Sequence, residues 1–423
     1  MIRVLFRGLK IPDLRKKLFL IIAVFIVFRI MANIPIPGVD AQRLRLFFQQ
    51  FEVFSLVNVF AGGALERVSI VMLGLGPYIT ATVILQLLSM VIPRLKELYK
   101  EEGEAGRRKF EQYSRMLTVP LAALQSYGML TLLQKQLVIP GMSPLMLTSS
   151  IMTITAGTML LMWLGELVDE RGIGSGISLL IFAGIIADFP QNSFRIYRDI
   201  KTHTVPWLSL VLFFVFSLLM IFAVTLINQA RRNIPISYTR RVRGRRLYGG
   251  VKSYLPLSIN PAGVMPIIFA LSLLTFPSMF ANFFVGQQNF LNNIAQAVLS
   301  FSKNQIFYSI LYFILVFAFT FFYTIVVFEP QSIADNLKRS GGFVPGIRPG
   351  ESTARFISYV LYRILPLGAL FLGIIALSPT VVANLTGIVA FRFLVGGTSL
   401  LILVSVILET YQQIRSYVEM REI

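Results

Sequence analysis

Apolar runs long enough to match a bilayer recur along this chain, and the segments between them are polar and alternate in charge. A run of about 20 apolar residues crosses the hydrocarbon core as a helix. Ten such stretches stand out, at roughly 18–33, 70–92, 115–133, 146–168, 173–189, 206–228, 262–283, 305–328, 357–379 and 384–408. An even number of spans puts both termini on one side. The N-terminal arm carries Arg3, Arg7, Lys10, Arg15, Lys16 and Lys17 against Asp13 alone. Segment 93–114 is rich in Lys and Arg, partly balanced by Glu, and 229–256 carries eight basic residues and no acid. On the opposite side, 134–145 has only Lys135 and 284–304 only Lys303. Lys and Arg collect in cytoplasmic loops, so the pattern predicts cytoplasmic termini. The first apolar stretch is followed by NIPIPG rather than a small-residue cleavage site, which predicts a retained span.

Three places depart from a plain bundle. Residues 54–65 (FSLVNVFAGGAL) are apolar but too short to span, which predicts a re-entrant or interfacial segment. Residues 171–177 (RGIGSGI) open the fifth span with three glycines in five positions, suited to close backbone approach or an irregular helix start. Segments 229–256 and 329–356 are too long for simple connections. A division into two halves of five spans, 1–190 and 191–423, is expected from the inverted repeats common in membrane transport proteins, although no sequence repeat links them.

Composition narrows the chemistry. Hydrophobic residues make up 55% of 423 and charged residues only 14%, far below the quarter or so of a soluble domain. The excess of 39 basic over 20 acidic residues has two readings: membrane topology, or a basic surface that also docks an anionic partner. With no cysteine and a single histidine, His203, disulfides, thiolate catalysis and Cys or multi-His metal sites are out of reach. No nucleotide-binding GxxxxGK[ST], no HExxH and no Ser/His pair is found, so no catalysis and no cofactor is expected. Arg29, Glu166, Arg363, Arg392 and Glu409 all fall near predicted span ends. The lack of a midplane charge counts against the main alternative, a secondary transporter of a small solute. What remains is a pore with apolar walls, which would exclude ions by dewetting. Ile79 with Val83 and Ile177 with Ile181 recur at helical spacing, but spacing alone does not separate a pore lining from a lipid-facing surface.

Several longer stretches are more specific: GGALERVSIVMLGLGPYITATVILQLL (62–88), GELVDERGIGSGISLLIFAGI (165–185), RRVRGRRLYGG (240–250), LPLSINPAGVMPIIFA (255–270), ADNLKRSGGFVPGIRPGE (334–351) and GGTSLLI (396–402). In this order they resemble the SecY family of protein-translocation channels along essentially the whole chain. The resemblance implies an all-α membrane protein of ten helices in two pseudo-symmetric halves, forming an hourglass pore with a lateral gate and a plug. It implies a waist ring at Ile79, Val83, Ile177, Ile181, Ile268 and Ile402. It implies a plug at about 54–65, with Phe54 at its start and Asn58, Gly62 and Gly63 easing its departure. Gln86 and Gln125 would stand at the lateral gate, where they are expected to interact. Arg240, Arg241, Arg243, Arg245, Arg246 and Arg348 would form a docking surface. The implied partners are SecE- and SecG-type small membrane subunits, the SecA motor ATPase, the ribosome, signal sequences with their unfolded preproteins, and lipid. The implied location is the bacterial inner membrane.

Overall fold

In this computed structural model the described residues are 11–37, 44, 64–65, 67–100, 103–135, 137–202, 207–238, 241–243, 246–248, 252–284, 290–386 and 397–421. Helix α1, Pro12–Ala32, shows why the bundle forms. Pro stands in its first turn, where a missing N–H costs nothing, and Asp13 and Arg29 occupy the ends that favour their charges. One stripe of α1 buries Leu14, Ile21, Val24, Phe28 and Ala32. Its other faces expose Phe19, Ile22, Ile26 and Ile30, an arrangement stable only against lipid.

The chain then enters α2 (Gly76–Val91), α3 (Pro93–Lys100), α4 (Gly103–Lys135), α5 (Pro144–Arg171), α6 (Gly176–Lys201) and α7 (Trp207–Gln229). After the strand-rich segment described below come α8 (Met265–Phe284), α9 (Phe290–Lys303), α10 (Gln305–Val327), α11 (Pro330–Arg339), α12 (Glu351–Thr386) and α13 (Gly397–Arg421). All the described helices except α3, α9 and α11 correspond to the ten expected spans. Among the described residues, five helical stretches have both the length and the apolar composition to cross a bilayer, within α4, α5, α7, α10 running into α11, and α12.

Two expected boundaries are corrected. The second span is helical only from Gly76; residues 70–75 are turns, and the segment before α2 is tied to the chain just past α1 by Ile36 N–H to Val68 O (2.9 Å) and Ile70 N–H to Ile34 O (3.1 Å). The last span is not 384–408. Helix α12 continues to Thr386 and α13 runs from Gly397 to Arg421, because the polar C-terminal half of α13 buries Ile414 and Val418 and extends the helix past its apolar part. Glu409 therefore lies mid-helix rather than near a helix end.

Helices α2, α4, α5 and α6 pack in sequence, with α1 against α5 and α6. Helix α10 packs on α8 and α12, and α13 on α7 and α12. The two sets meet where α8 lies against α2 and α4, and where α13 lies against α6.

The two long connections fold together. Strands β1 (Arg231–Tyr238) and β4 (Lys252–Ser258) pair antiparallel from Arg231↔Ser258 to Ser237↔Lys252. Strand β5 (Gly342–Phe343) joins the other edge of β1 at Ser237↔Phe343 and Tyr238↔Gly342. Pro235 is tolerated inside β1 because β5 covers only its last two residues, so the missing N–H costs no second ladder. Between β1 and β4, β2 (Arg241–Arg243) and β3 (Arg246–Tyr248) make a short hairpin. Ile234 and Ile236, two apart on β1, share a separate small core with Leu257, Leu337 of α11, Val344 and Ile357 of α12.

Candidate functional site

The six expected ring residues come from α2, α6, α8 and α13. Ile79, Val83, Ile181, Ile268 and Ile402 are buried, and Ile177 is half-buried against them, all within one apolar cluster. That cluster also takes in Leu75, Leu180, Leu271 and Leu401, so burial alone does not single out the six. The helices that carry them touch directly, α8 on α2 and α13 on α6.

The polar side chains of this interior have a consistent chemistry. Apart from the phenols of Tyr78 and Tyr312, every buried polar side chain among the described residues is Ser, Thr or Gln. Most hydroxyls bond to a carbonyl of their own helix: Thr80 to Gly76 (2.9 Å), Thr118 to Ser114 (2.7 Å), Ser126 to Ala122 (2.6 Å), Thr320 to Val316 (2.6 Å) and Thr324 to Thr320 (2.7 Å). A hydroxyl that donates back to its own helix offers no donor to a visitor. Gln86 of α2 and Gln125 of α4 are buried on helices that pack against each other and against α8. The Gln86 Oε1 atom has no hydrogen-bond partner, so it does not accept from Gln125. An orphaned buried amide oxygen weakens a closed contact by the cost of its lost solvation.

Of the expected plug, Phe54, Asn58, Gly62 and Gly63 lie outside the described residues. Its end, Ala64 and Leu65, is fully buried in the main apolar cluster. Val68, three residues on, has φ 46°, a rare left-handed conformation for a β-branched residue that stores strain at the junction before α2. Among the expected docking arginines, Arg240 and Arg245 lie outside the described residues. The backbones of Arg241, Arg243 and Arg246 form the β2–β3 hairpin. Arg348 is exposed in the turn between β5 and α12, and its carbonyl accepts from Thr353 Oγ1 (2.9 Å).

The glycine-rich start of α6 is a point of close approach. A side chain at Gly176 would collide with the Gly165 carbonyl of α5, and Gly174 adopts φ 90°. The Asp169 carboxylate accepts from the Gly176 N–H (2.7 Å), and the Gln413 side chain of α13 accepts from the Gly174 N–H (2.6 Å). Sequence reasoning missed these bonds, and it missed the ion pair between Arg115 of α4 and Glu166 of α5 (2.6 Å). The signal was available: opposite charges set into the edges of two successive apolar stretches. It also missed the Lys17 ammonium, 5.0 Å from the centre of the Tyr417 ring, which ties α1 to α13.

Among the described residues, five helices apolar and long enough to span, three shorter apolar helices, an aliphatic interior and a basic strand-and-helix unit outside the bundle have the make-up of a multi-pass membrane channel. The fold agrees with a solved structure of a protein-conducting channel (TM-score 0.68, 19% identity, 96% of this chain and 92% of that one). It also agrees with Sec61 in a canine ribosome–channel complex from the endoplasmic reticulum (TM-score 0.65, 19% identity, 97% and 94%). The SecY family model matches residues 69–411. The protein translocase subunit SecY of Streptomyces galbus is 43% identical over 98% of this chain and 97% of its own length. The chain belongs to the SecY family.

Proposed function

We propose that this chain is a passive protein-conducting channel, which passes unfolded secretory polypeptides across the membrane and releases apolar segments sideways into lipid. The observation that carries this reading is the chemistry of the interior: aliphatic side chains, with hydroxyls mostly bonded back to their own helices. A translocating polypeptide presents every side-chain type. A wall that binds one of them tightly would stall it, whereas flexible aliphatic groups close around each in turn and shut out ions by dewetting. Ile79, Val83, Ile177, Ile181, Ile268 and Ile402 form the constriction, and residues 54–65 close it from outside. The channel does no bond chemistry of its own. Direction and energy come from partners.

The lateral exit runs between α2 and α4 on one side and α8 and α10 on the other, with Gln86 and Gln125 along it. A signal sequence wedged there stabilises the open state by binding it preferentially. The two halves, 1–190 and 191–423, part along this seam. The membrane is the bacterial inner membrane with both termini cytoplasmic, so the strand-rich unit faces the cytoplasm. There Arg240, Arg241, Arg243, Arg245, Arg246 and Arg348 meet the ribosome or the SecA motor, since the Arg fork suits phosphate and carboxylate alike. SecE- and SecG-type subunits complete the assembly in the membrane.

The cysteine-free sequence makes the test direct. Ile181→Cys is paired with a single cysteine in a secretory precursor halted midway. A disulfide that forms only with the engaged precursor is expected. Failure to form it, with the precursor shown to be inserted, would remove Ile181 from the path and with it the constriction drawn here.

A further inference from the structure

We infer that α9 is an interfacial membrane anchor. It lies along the lipid–water boundary at the end of the bundle opposite the strand-rich unit, with an outward apolar ridge seated in lipid. The unit lies before the start of α8 and α9 follows its end, so the spanning helix α8 separates them. With 14 residues α9 reaches only about 21 Å, too short to cross.

Its residues sort into three arcs at about 100° per residue. Phe290, Ile294, Ala297 and Phe301 recur at i, i+4, i+7 and i+11 within one narrow stripe, and all four are exposed. Ala295 and half-buried Val298 face the protein, where α9 packs on α8 and α10. Asn293, Gln296 and Ser300 are exposed on the remaining arc. A helix in water has no use for a second apolar face carrying two exposed phenylalanines, and one buried in protein would not leave it bare. A helix at the boundary needs all three arcs: protein, lipid and water.

The neighbouring surface identifies the occupant. The Phe301 ring meets Phe307 of α10 at 5.8 Å between centroids. Phe307 begins the exposed apolar face of α10 that continues through Ile310 and Ile314 along a membrane-spanning helix. The ridge of α9 is thus an extension of a surface that already faces lipid. The described side chains of the polar arc, Asn293, Gln296 and Ser300, are amides and a hydroxyl, which suit the hydrated glycerol and headgroup zone. Because α9 packs on α8, the anchor fixes the depth of that end of α8 in the membrane.

The inference rests on the family's membrane setting but not on which side the termini occupy. Its test separates the two. Single cysteines replace Phe290, Ile294 and Phe301 on the ridge, and Asn293, Gln296 and Ser300 on the polar arc. Each carries a nitroxide in the full complex, reconstituted in neutral phosphatidylcholine vesicles. Collision with oxygen, which concentrates in lipid, is compared with collision with a water-soluble nickel chelate. The expected result is a several-fold higher oxygen-to-nickel ratio on the ridge than on the polar arc, alternating with helical period. Equal nickel access on both arcs would put the ridge in water and overturn the anchor. Ridge labels immobilised and shielded from both agents would mean that a protein partner or second copy covers it, which also overturns it. Reaction of Gln296→Cys with a membrane-impermeant maleimide from one side only then reports orientation by itself.

Discussion

Helices α4 and α7 cross the same membrane with opposite compositions. The spanning stretch of α4 includes Arg115, Thr118, Gln125 and Ser126, and half of it is buried in the protein. Helix α7 reads WLSLVLFFVFSLLMIFAVTLINQ, without a charge, and only 17% of its spanning stretch is buried. In a soluble protein the more apolar helix would be the inner one. Here lipid is as apolar as leucine, so no hydrophobic force draws α7 inward, and helices meet through packing and polar contacts. The more apolar helix is the outer one, and the interior goes to helices with smaller and more polar residues.

Four substitutions sharpen that contrast, from large effect to small. Gly176→Leu forces a side chain into the Gly165 carbonyl at the α5–α6 contact and should cost about 3 kcal/mol or prevent assembly altogether. Thermal unfolding in detergent measures it, and an unchanged midpoint would show that the helices do not meet closely. Arg115→Ala leaves Glu166 on α5 without its α4 partner and should cost about 2 kcal/mol, less than a fully buried pair because Arg115 keeps some solvent contact. The double substitution Arg115→Met with Glu166→Leu should recover most of that loss; if it is worse than the single change, the pair is not the source. Met129→Ala on the buried face of α4 should cost about 1–2 kcal/mol, the packing part of a cavity without the transfer part. On α7, Leu218→Ala, 67% exposed toward lipid, should stay within about 0.5 kcal/mol. Equal losses at Met129 and Leu218 would mean that α7 is covered by another protein rather than by lipid.

Legibility in the sequence followed the same contrast. Apolar length located every lipid-exposed span, because lipid contact is what hydropathy reports. It failed where helix and apolar run part company. Residues 70–75 are apolar but turned, with Ile70 bonded to Ile34 just past α1. The second half of α13 is polar yet helical, stitched by Arg415 to Glu419 (2.6 Å) at i, i+4. The strands were missed for another reason. The alternation of Ile234 and Ile236 is only two positions long and is interrupted by Pro235, too short a signal beside eight basic residues. The proposed ring and gate positions entered through family resemblance. Spacing alone does not separate Ile79 and Val83 from any lipid-facing pair. The Arg115–Glu166 pair joins helices whose register no local pattern determines.

The sheet outside the bundle also imposes an order on how the molecule is made. Strands β1 and β4 are neighbours in the chain and can close as a hairpin as soon as both are synthesised. Strand β5 is different: it follows β1 by roughly 100 residues, which is about 5–20 s of synthesis at ordinary elongation rates. In that interval α8, α9, α10 and α11 must be made and α8 and α10 threaded through the membrane. Only then can Gly342 and Phe343 reach the open edge of β1 and Leu337 enter the small core. The third strand is therefore the last strand of this sheet to be made, and Val344 and Ile357, later still in the chain, complete the small core. Until β5 is in place the edge of β1 near Tyr238 stays open, so an unfinished chain differs from a finished one at an unpaired strand edge outside the membrane.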